Sequence, residues 1–444
     1  KQEVAKLNIG IFTDTYFPQL NGVATSVQTL RRELEKRGHQ VYIFTPYDPR
    51  QQQETDDHIF RLPSMPFIFV KNYRACFVCP PHILRKIHQL KLDIIHTQTE
   101  FSLGFLGKLI STTFGIPMVH TYHTMYEDYV HYIAGGHLIS AEGAREFSRI
   151  FCNTAMAVIA PTQKTERLLL SYGVNKPISI IPTGIDTSHF RKSNYDPAEI
   201  LELRHNLGLK ADTPVLISIG RIAKEKSIDV IIGALPKLLE KLPDTMMVIV
   251  GEGMEIENLK KYADSLDIGD HLLFTGGKPW SEISKYYQLG DVFCSASLSE
   301  TQGLTFAEAM AGGIPVVARR DDCIVNFMTH GETGMFFDDP AELPDLLYRV
   351  LTDKPLREHL STTSQNTMES LSVETFGNHV EELYEKVVRA FQNAESIPLH
   401  SLPYIKGTRV VHRISKIPKK LAHRSRSYSS QIAERLPFLP RHRS

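Results

Sequence analysis

Residues 8–45 read NIGIFTDTYFPQLNGVATSVQTLRRELEKRGHQVYIFT, and this stretch decides the fold class. Asn8–Thr13 and Gln40–Thr45 are short runs rich in β-branched and aromatic residues. Between them Val23, Val27, Leu30 and Leu34 recur at spacings of four, three and four, which is the period of a helix with one apolar face. Gly38 follows as a C-terminal stop. A strand, a helix and a second strand in this order make one parallel crossover unit.

The alternation continues outward from that unit. Asp93–Thr97, Pro117–Tyr122, Met156–Ala160 and Ile178–Pro182 read as further strands. After a polar stretch near residues 187–212, strands restart at Pro214–Gly220, Met246–Gly251, His271–Thr275, Asp291–Ala296 and Pro315–Ala318, with helical segments between them. The expectation is an α/β protein of two doubly wound, Rossmann-like domains, residues 1–185 and 186–371, facing a central cleft. Residues 372–394 read as an amphipathic helix returning to the first domain, and residues 395–444 as a tail broken by prolines. Ligands of such sheets lie beyond the carboxyl ends of the strands, so the cleft is the expected active site.

A chain of 444 residues, 42% hydrophobic and 23% charged, is long enough for two cores at roughly 100 to 200 residues per domain. No apolar run approaches the roughly 18 residues of a spanning helix, and the start, with Lys1, Glu3 and Lys6, lacks a signal-like stretch. Neither secretion nor membrane spanning is expected. Five scattered cysteines form no disulfide framework and suit a reducing cytosol. Cys76 and Cys79 make a lone C-x-x-C without the two further ligands of a zinc site, so they read as unpaired thiols in an apolar segment. The formal charge of zero hides an asymmetry: residues 405–444 carry eleven Lys or Arg against the single acid Glu434, which leaves residues 1–404 at a net −10.

The most specific signal is Ser299–Val317, SETQGLTFAEAMAGGIPVV. It follows a strand, and Gly303 opens a helix, so the N–H groups of Gly303, Leu304 and Thr305 form an anion site at the positive end of the helix dipole. Glu300 stands before that terminus and Glu308 about one turn in; carboxylates there suit the hydroxyls of a sugar. A second signal, SIGRIAKEKS over residues 218–227, places Arg221 and Lys226 at a strand end, where a guanidinium fork and an ammonium point charge can neutralise a diphosphate. The sequence holds no D-x-D pair for a bridging metal, and two cations with a helix terminus can stabilise a departing diphosphate in its place. Third, Asn21-Gly22-Val23 lies in the first strand-to-helix loop, where Gly22 lets a ligand approach the backbone. Fourth, HTYHTMYEDYVHY at residues 120–132 crowds three histidines, three tyrosines and two acids into one segment after a strand.

At these four places the chain resembles the retaining family 4 glycosyltransferases of the GT-B fold, over about residues 8–392. The resemblance implies that Glu300 contacts the hydroxyls of the donor sugar, Glu308 the ribose, and Arg221 with Lys226 the diphosphate. It implies His123 near the reacting sugar carbon and a nucleobase pocket at Phe274-Thr275-Gly276. Within the family, IFTDTYFPQLNGVATS and HTMYEDYVHY are similar to the bacterial 1,2-diacylglycerol 3-glucosyltransferases, which move glucose from UDP-glucose onto diacylglycerol with retention. That similarity implies no cofactor beyond the donor and no required metal, with Tyr126, His131 and Tyr132 shaping the acceptor pocket. UDP departs through an oxocarbenium-like state while the acceptor attacks the same face; front-face attack and double displacement both stay open. So do transfer of a second hexose to monoglucosyldiacylglycerol, a related lipid-linked hexosyl- or mannosyltransferase, and a nucleotide-sugar-binding protein without activity. The oligomeric state is not readable.

A diacylglycerol acceptor requires docking without spanning, which implies a peripheral protein on the cytoplasmic face of the cell membrane. Residues 65–91 mix Phe67, Ile68, Phe69, Ile83, Leu84, Ile87 and Leu90 with Lys71, Arg74, Arg85, Lys86 and Lys91, and read equally as a docking surface and as a domain helix beside a core loop. In the tail, half of the eleven cations engaging an anionic surface at ~1 kcal/mol each would contribute roughly 5 kcal/mol. Nucleic acid is disfavoured as a partner, because the tail offers only Tyr404, Tyr428 and Phe438 for stacking.

Overall fold

The computed structural model describes residues 6–19, 21–49, 54–66, 74–124 and 140–393. It divides into two compact units, one formed by the chain up to Pro182 together with Phe376 onward, the other by Thr183–Thr375.

The first unit is built on a seven-stranded parallel sheet of order β3-β2-β1-β6-β7-β8-β9. Its strands are β1 (Asn8–Phe12), β2 (Gln40–Pro46), β3 (Ile59–Leu62), β6 (Ile94–Thr97), β7 (Met118–Thr121), β8 (Ala157–Ala160) and β9 (Ile178–Ile180), with a small antiparallel pair β4 (Met65–Pro66) and β5 (Arg74–Ala75). The helices are α1 (Gly22–Lys36), α2 (Pro81–Gln89), α3 (Ser102–Phe114), α4 (Ala141–Cys152) and α5 (Gln163–Ser171). Both faces of the sheet are covered, as parallel sheets require. Ile9 and Ile11 of β1 join Val27, Leu30 and Leu34 of α1 in one core, while Phe12 joins Phe44, Ile95 and Leu103 in the other.

Helix α1 starts where the Asn21 side chain accepts the Ala24 N–H at 3.0 Å. It ends as Gly38 turns the chain and His39 N–H bonds back to the Leu34 carbonyl at 3.1 Å. The first core is completed by Phe376, Val380, Leu383, Tyr384 and Val387 of a late helix, α14 in chain order (Val373–Gln392). Glu381 on that helix accepts from Arg37 at 3.3 Å and from His39 Nε2 at 2.8 Å.

The apolar residues of α2 go into the core: Ile87 is buried, and Ile83, Leu84 and Leu90 pack against the cluster of Phe12 and Phe44. A docking surface at residues 65–91 must therefore use other residues, and Met65, Phe77 and Val78 are the exposed apolar ones there among those described. Cys76 is buried, Cys79 half-buried, and neither is bonded to another cysteine.

The second unit holds a six-stranded parallel sheet of order β12-β11-β10-β13-β14-β15. Short helices α6 (Thr187–Phe190) and α7 (Pro197–Asn206) lead into β10 (Val215–Ile219), α8 (Ile228–Leu239), β11 (Met246–Val250), α9 (Ile256–Ser265) and β12 (Leu272–Gly276). Then come α10 (Trp280–Tyr287), β13 (Val292–Ser295), α11 (Leu304–Ala311), β14 (Val316–Arg319), β15 (Met335–Phe337), α12 (Leu343–Thr352) and α13 (Lys354–Met368). Successive residues of β10 alternate between two cores, Val215 and Ile217 on one face and Leu216 on the other.

Three short elements escape the sequence reading. β3 and β15 are edge strands of four and three residues, too short for a period to register, and β4 with β5 is a pair of two-residue strands.

Candidate active site

In the second unit four adjacent parallel strands, β12, β11, β10 and β13, end side by side, and the residues singled out from the sequence leave from those ends. Beyond β10 the backbone of Gly220 to Ile222 lies hard against the loop after β11. A Cβ on Gly251 would stand 1.8 Å from the Gly220 carbonyl oxygen, and one on Gly253 1.8 Å from that of Ile222. Only glycine permits this approach, and it holds Arg221 in place at the sheet edge. Thr275 and Gly276 end β12 one strand further, and the Gly251 N–H bonds to the Gly276 carbonyl at 3.1 Å.

Lys226 closes a short turn of 3-10 helix and reaches across to the loop after β13, where its Nζ donates to Glu300 Oε1 at 2.6 Å. Arg221 donates to Glu225 Oε1 at 2.6 Å; the Glu225 side chain is buried and Arg221 is half-exposed. The two cations and Glu300 thus share one strip of the surface, each with a carboxylate partner. Such a strip can bind an anion and a polyhydroxyl group side by side, because ammonium and guanidinium donate while carboxylates accept.

The helix start differs by one residue from the expectation. α11 begins at Leu304, and Gly303 is its N-cap with φ +76°, so the first-turn donors are Leu304 and Thr305. A Cβ on Gly303 would meet Ile324 and Phe306 at 3.0 Å, so glycine is required by packing as well as by its φ. The loop before it is pinned by Gln302, whose Oε1 accepts the Thr183 N–H at 2.8 Å and whose Nε2 donates to the Thr183 carbonyl at 2.8 Å. Gln302 stands inside the motif quoted above, but its partner is more than a hundred positions away, so only the folded chain reveals the pin.

Glu308 is held by Tyr287, whose buried hydroxyl donates to Glu308 Oε2 at 2.7 Å. Burial pushes the Glu308 carboxyl up to about 7, against the lowering effect of the Tyr287 bond. Near neutral pH this group is poised between its acid and its carboxylate.

In the first unit Gly22 is the first residue of α1 rather than part of the preceding loop. His123 follows β7, and its Nε2 lies 2.6 Å from Gln98 Oε1, beyond the end of the neighbouring strand β6. Burial, with a smaller contribution from His120, lowers the His123 imidazole to about 3, so it is neutral at physiological pH. Asp14, beyond β1, accepts from Thr99 Oγ1 at 2.6 Å, from Ser102 Oγ and from the Leu103 N–H, tying the first loop to the start of α3. Gln98, Tyr287 and Glu225 were not singled out in the sequence; the polar run HTQTE at the end of β6 was the available signal for Gln98. Tyr126, His131, Tyr132 and the tail from residue 405 lie outside the described residues.

The sequence profile of Glycosyltransferase Family 4 matches residues 20–189, and that of Glycosyl transferases group 1 matches residues 199–367. The alpha-monoglucosyldiacylglycerol synthase of Streptococcus pneumoniae is 41% identical over 379 residues, 85% of this chain and 85% of its own length. The chain belongs to glycosyltransferase family 4. The alpha-monoglucosyldiacylglycerol synthase of Acholeplasma laidlawii is 33% identical over 85% of this chain and 96% of its own length. Among solved structures, Anabaena HepE in complex with UDP and glucose superposes with a TM-score of 0.69 at 18% identity, covering 85% of this chain and 99% of that one. That likeness speaks for the fold. This family 4 glycosyltransferase has the two Rossmann-like domains of the GT-B class, and no helix among its described residues is long and apolar enough to cross a membrane.

Proposed function

We propose that this family 4 glycosyltransferase moves glucose from UDP-glucose to the 3-hydroxyl of 1,2-diacylglycerol, with retention, giving α-monoglucosyldiacylglycerol. The observation that carries the reading is the identity of 41% and 33% to two alpha-monoglucosyldiacylglycerol synthases, each over 85% of the chain. The second unit is the donor-binding domain. Arg221 and Lys226, with the N–H groups of Leu304 and Thr305, neutralise the diphosphate as it leaves. Glu300 accepts from hydroxyls of the glucose, Glu308 from the ribose, and Thr275 and Gly276 border the base. Pairing between Lys226 and Glu300 at 2.6 Å favours this division of roles, since it sets a phosphate donor directly beside a hydroxyl acceptor.

The first unit carries the acceptor and faces the membrane. Neutral His123 stands near the reacting carbon, with Tyr126, His131 and Tyr132 at the acceptor. Departure of UDP leaves an oxocarbenium-like sugar, and the diacylglycerol oxygen attacks from the face the diphosphate has left, giving up its proton to that diphosphate. No divalent ion takes part. The basic tail and the exposed Met65, Phe77 and Val78 hold the enzyme to the anionic cytoplasmic face of the membrane.

The test is incubation of purified protein with radiolabelled UDP-glucose, UDP-galactose or GDP-mannose, each with vesicles of diacylglycerol or of monoglucosyldiacylglycerol. Labelled monoglucosyldiacylglycerol from UDP-glucose and diacylglycerol is the expected product. Label appearing only in a diglycosyl lipid, or only from another donor, overturns the assignment.

A further inference from the structure

Two of the histidines that follow one another across the ends of β6 and β7 are joined by one glutamine into a hydrogen-bond chain whose donors and acceptors can be assigned without a free choice. An amide nitrogen only donates, so the Gln98 Nε2 at 3.1 Å makes His96 Nδ1 an acceptor. The Tyr384 hydroxyl, from α14, donates to the same nitrogen at 2.5 Å. His96 then carries its proton on Nε2, which lies 2.7 Å from Thr121 Oγ1. The amide oxygen of Gln98 only accepts, so His123 carries its proton on Nε2, at 2.6 Å from that oxygen. His123 Nδ1 has no partner among the described residues and keeps its lone pair. Burial lowers both His96 and His123 below the ordinary imidazole range, so neither ring supplies a second proton to disturb the order.

We propose that Gln98 is a positioning residue of the transfer reaction: it locks His123 with the proton on Nε2, so that Nδ1 accepts a hydrogen bond from a hydroxyl of the reacting sugar, and Tyr384 sets Gln98 through His96. The proposal rests on the reading of His123 as a sugar contact. It adds that this contact is an acceptor only, and that its geometry depends on a helix 260 positions further along the chain. An imidazole free to flip would present a donor half of the time and would lose the angle that the amide imposes. Misplacement of a contact by about 1 Å is enough to cost roughly 100-fold in rate.

The experiment uses the full chain with histidine labelled by ¹⁵N, together with Gln98→Leu, Tyr384→Phe and His123→Ala. In the wild type His123, assigned by its loss in His123→Ala, is expected to show one pyridine-like nitrogen at the δ1 position. In Gln98→Leu the two nitrogens are expected to average, and kcat to fall roughly 10- to 100-fold while UDP binds with unchanged affinity. Tyr384→Phe is expected to lower kcat less, by about 3- to 10-fold, in the same direction. The double variant Gln98→Leu with His123→Ala is expected to be no slower than His123→Ala alone, which a merely structural role for Gln98 would not produce. Full turnover in His123→Ala refutes the sugar-contact reading. A slow His123→Ala beside a Gln98→Leu that keeps both the single tautomer and the wild-type kcat refutes the role of Gln98. Loss of UDP binding in Gln98→Leu also refutes it, since the damage would then be general.

Discussion

Replacing Tyr287 by Phe removes one hydroxyl and leaves a buried ring of almost the same shape. The lost bond is the 2.7 Å contact to Glu308 Oε2, and it acts on a carboxyl that burial has already raised to about 7. A hydrogen bond to a charged group is worth about 1.5 to 3 kcal/mol, and one pKa unit corresponds to about 1.4 kcal/mol, so Glu308 should move up by about 1 to 2 units. At pH 7 the ionised fraction then falls from about one half to between about one tenth and one hundredth. If Glu308 accepts from the ribose as a carboxylate, the donor KM at pH 7 should rise about 5- to 50-fold in Tyr287→Phe and recover above pH 9. The assay is KM for the sugar nucleotide from pH 6 to 10 in both proteins, with the midpoint of the KM curve as the readout. The same midpoint in both, or a KM raised by one factor at every pH, would refute the reasoning.

That shift also bears on stability, and its sign is opposite to that of a salt-bridged acid. The folded protein holds the Glu308 proton more tightly than the unfolded chain, whose carboxyl titrates near 4.5. Stability is therefore lost as pH rises from about 4.5 to 7, by on the order of 3 kcal/mol, and is level outside that window as far as this group is concerned.

Other expectations follow from single contacts. Glu300→Ala, which takes away the partner of Lys226, should lower kcat by at least about 100-fold with the circular dichroism spectrum unchanged; retained turnover removes its assigned role. Gln302→Ala leaves both polar backbone atoms of Thr183 without their partner and should destabilise the chain by about 2 to 3 kcal/mol in urea unfolding, an unchanged midpoint being the contrary result. Deleting residues 405–444 should weaken sedimentation with anionic vesicles and spare sedimentation with neutral ones, and equal binding by both proteins would reject the docking role. Chelation should leave transfer unaffected; activity that vanishes with a chelator and returns with manganese would overturn the cation-only account of the leaving diphosphate.

What the amino-acid sequence determined by itself was local. The helical period of Val23, Val27, Leu30 and Leu34 between two apolar runs is enough for a parallel crossover unit, because backbone and side-chain preferences act within one turn or one strand. The glycine before α11 and the cations after β10 were legible for the same reason, as residues at the ends of recognisable elements. Only the tertiary structure decided which partners those residues have. Lys226 meets Glu300 because β10 and β13 are neighbours in a sheet whose order departs from chain order, and Gln98 meets His123 because β6 lies beside β7. It also decided that the apolar face of α2 is spent on the core, a matter on which its amphipathic pattern is silent. The physical reason is common to all three: hydrogen bonds and packing are set by distance in space, and distance in space between elements is fixed by the crossover order of the sheets, which no local period encodes.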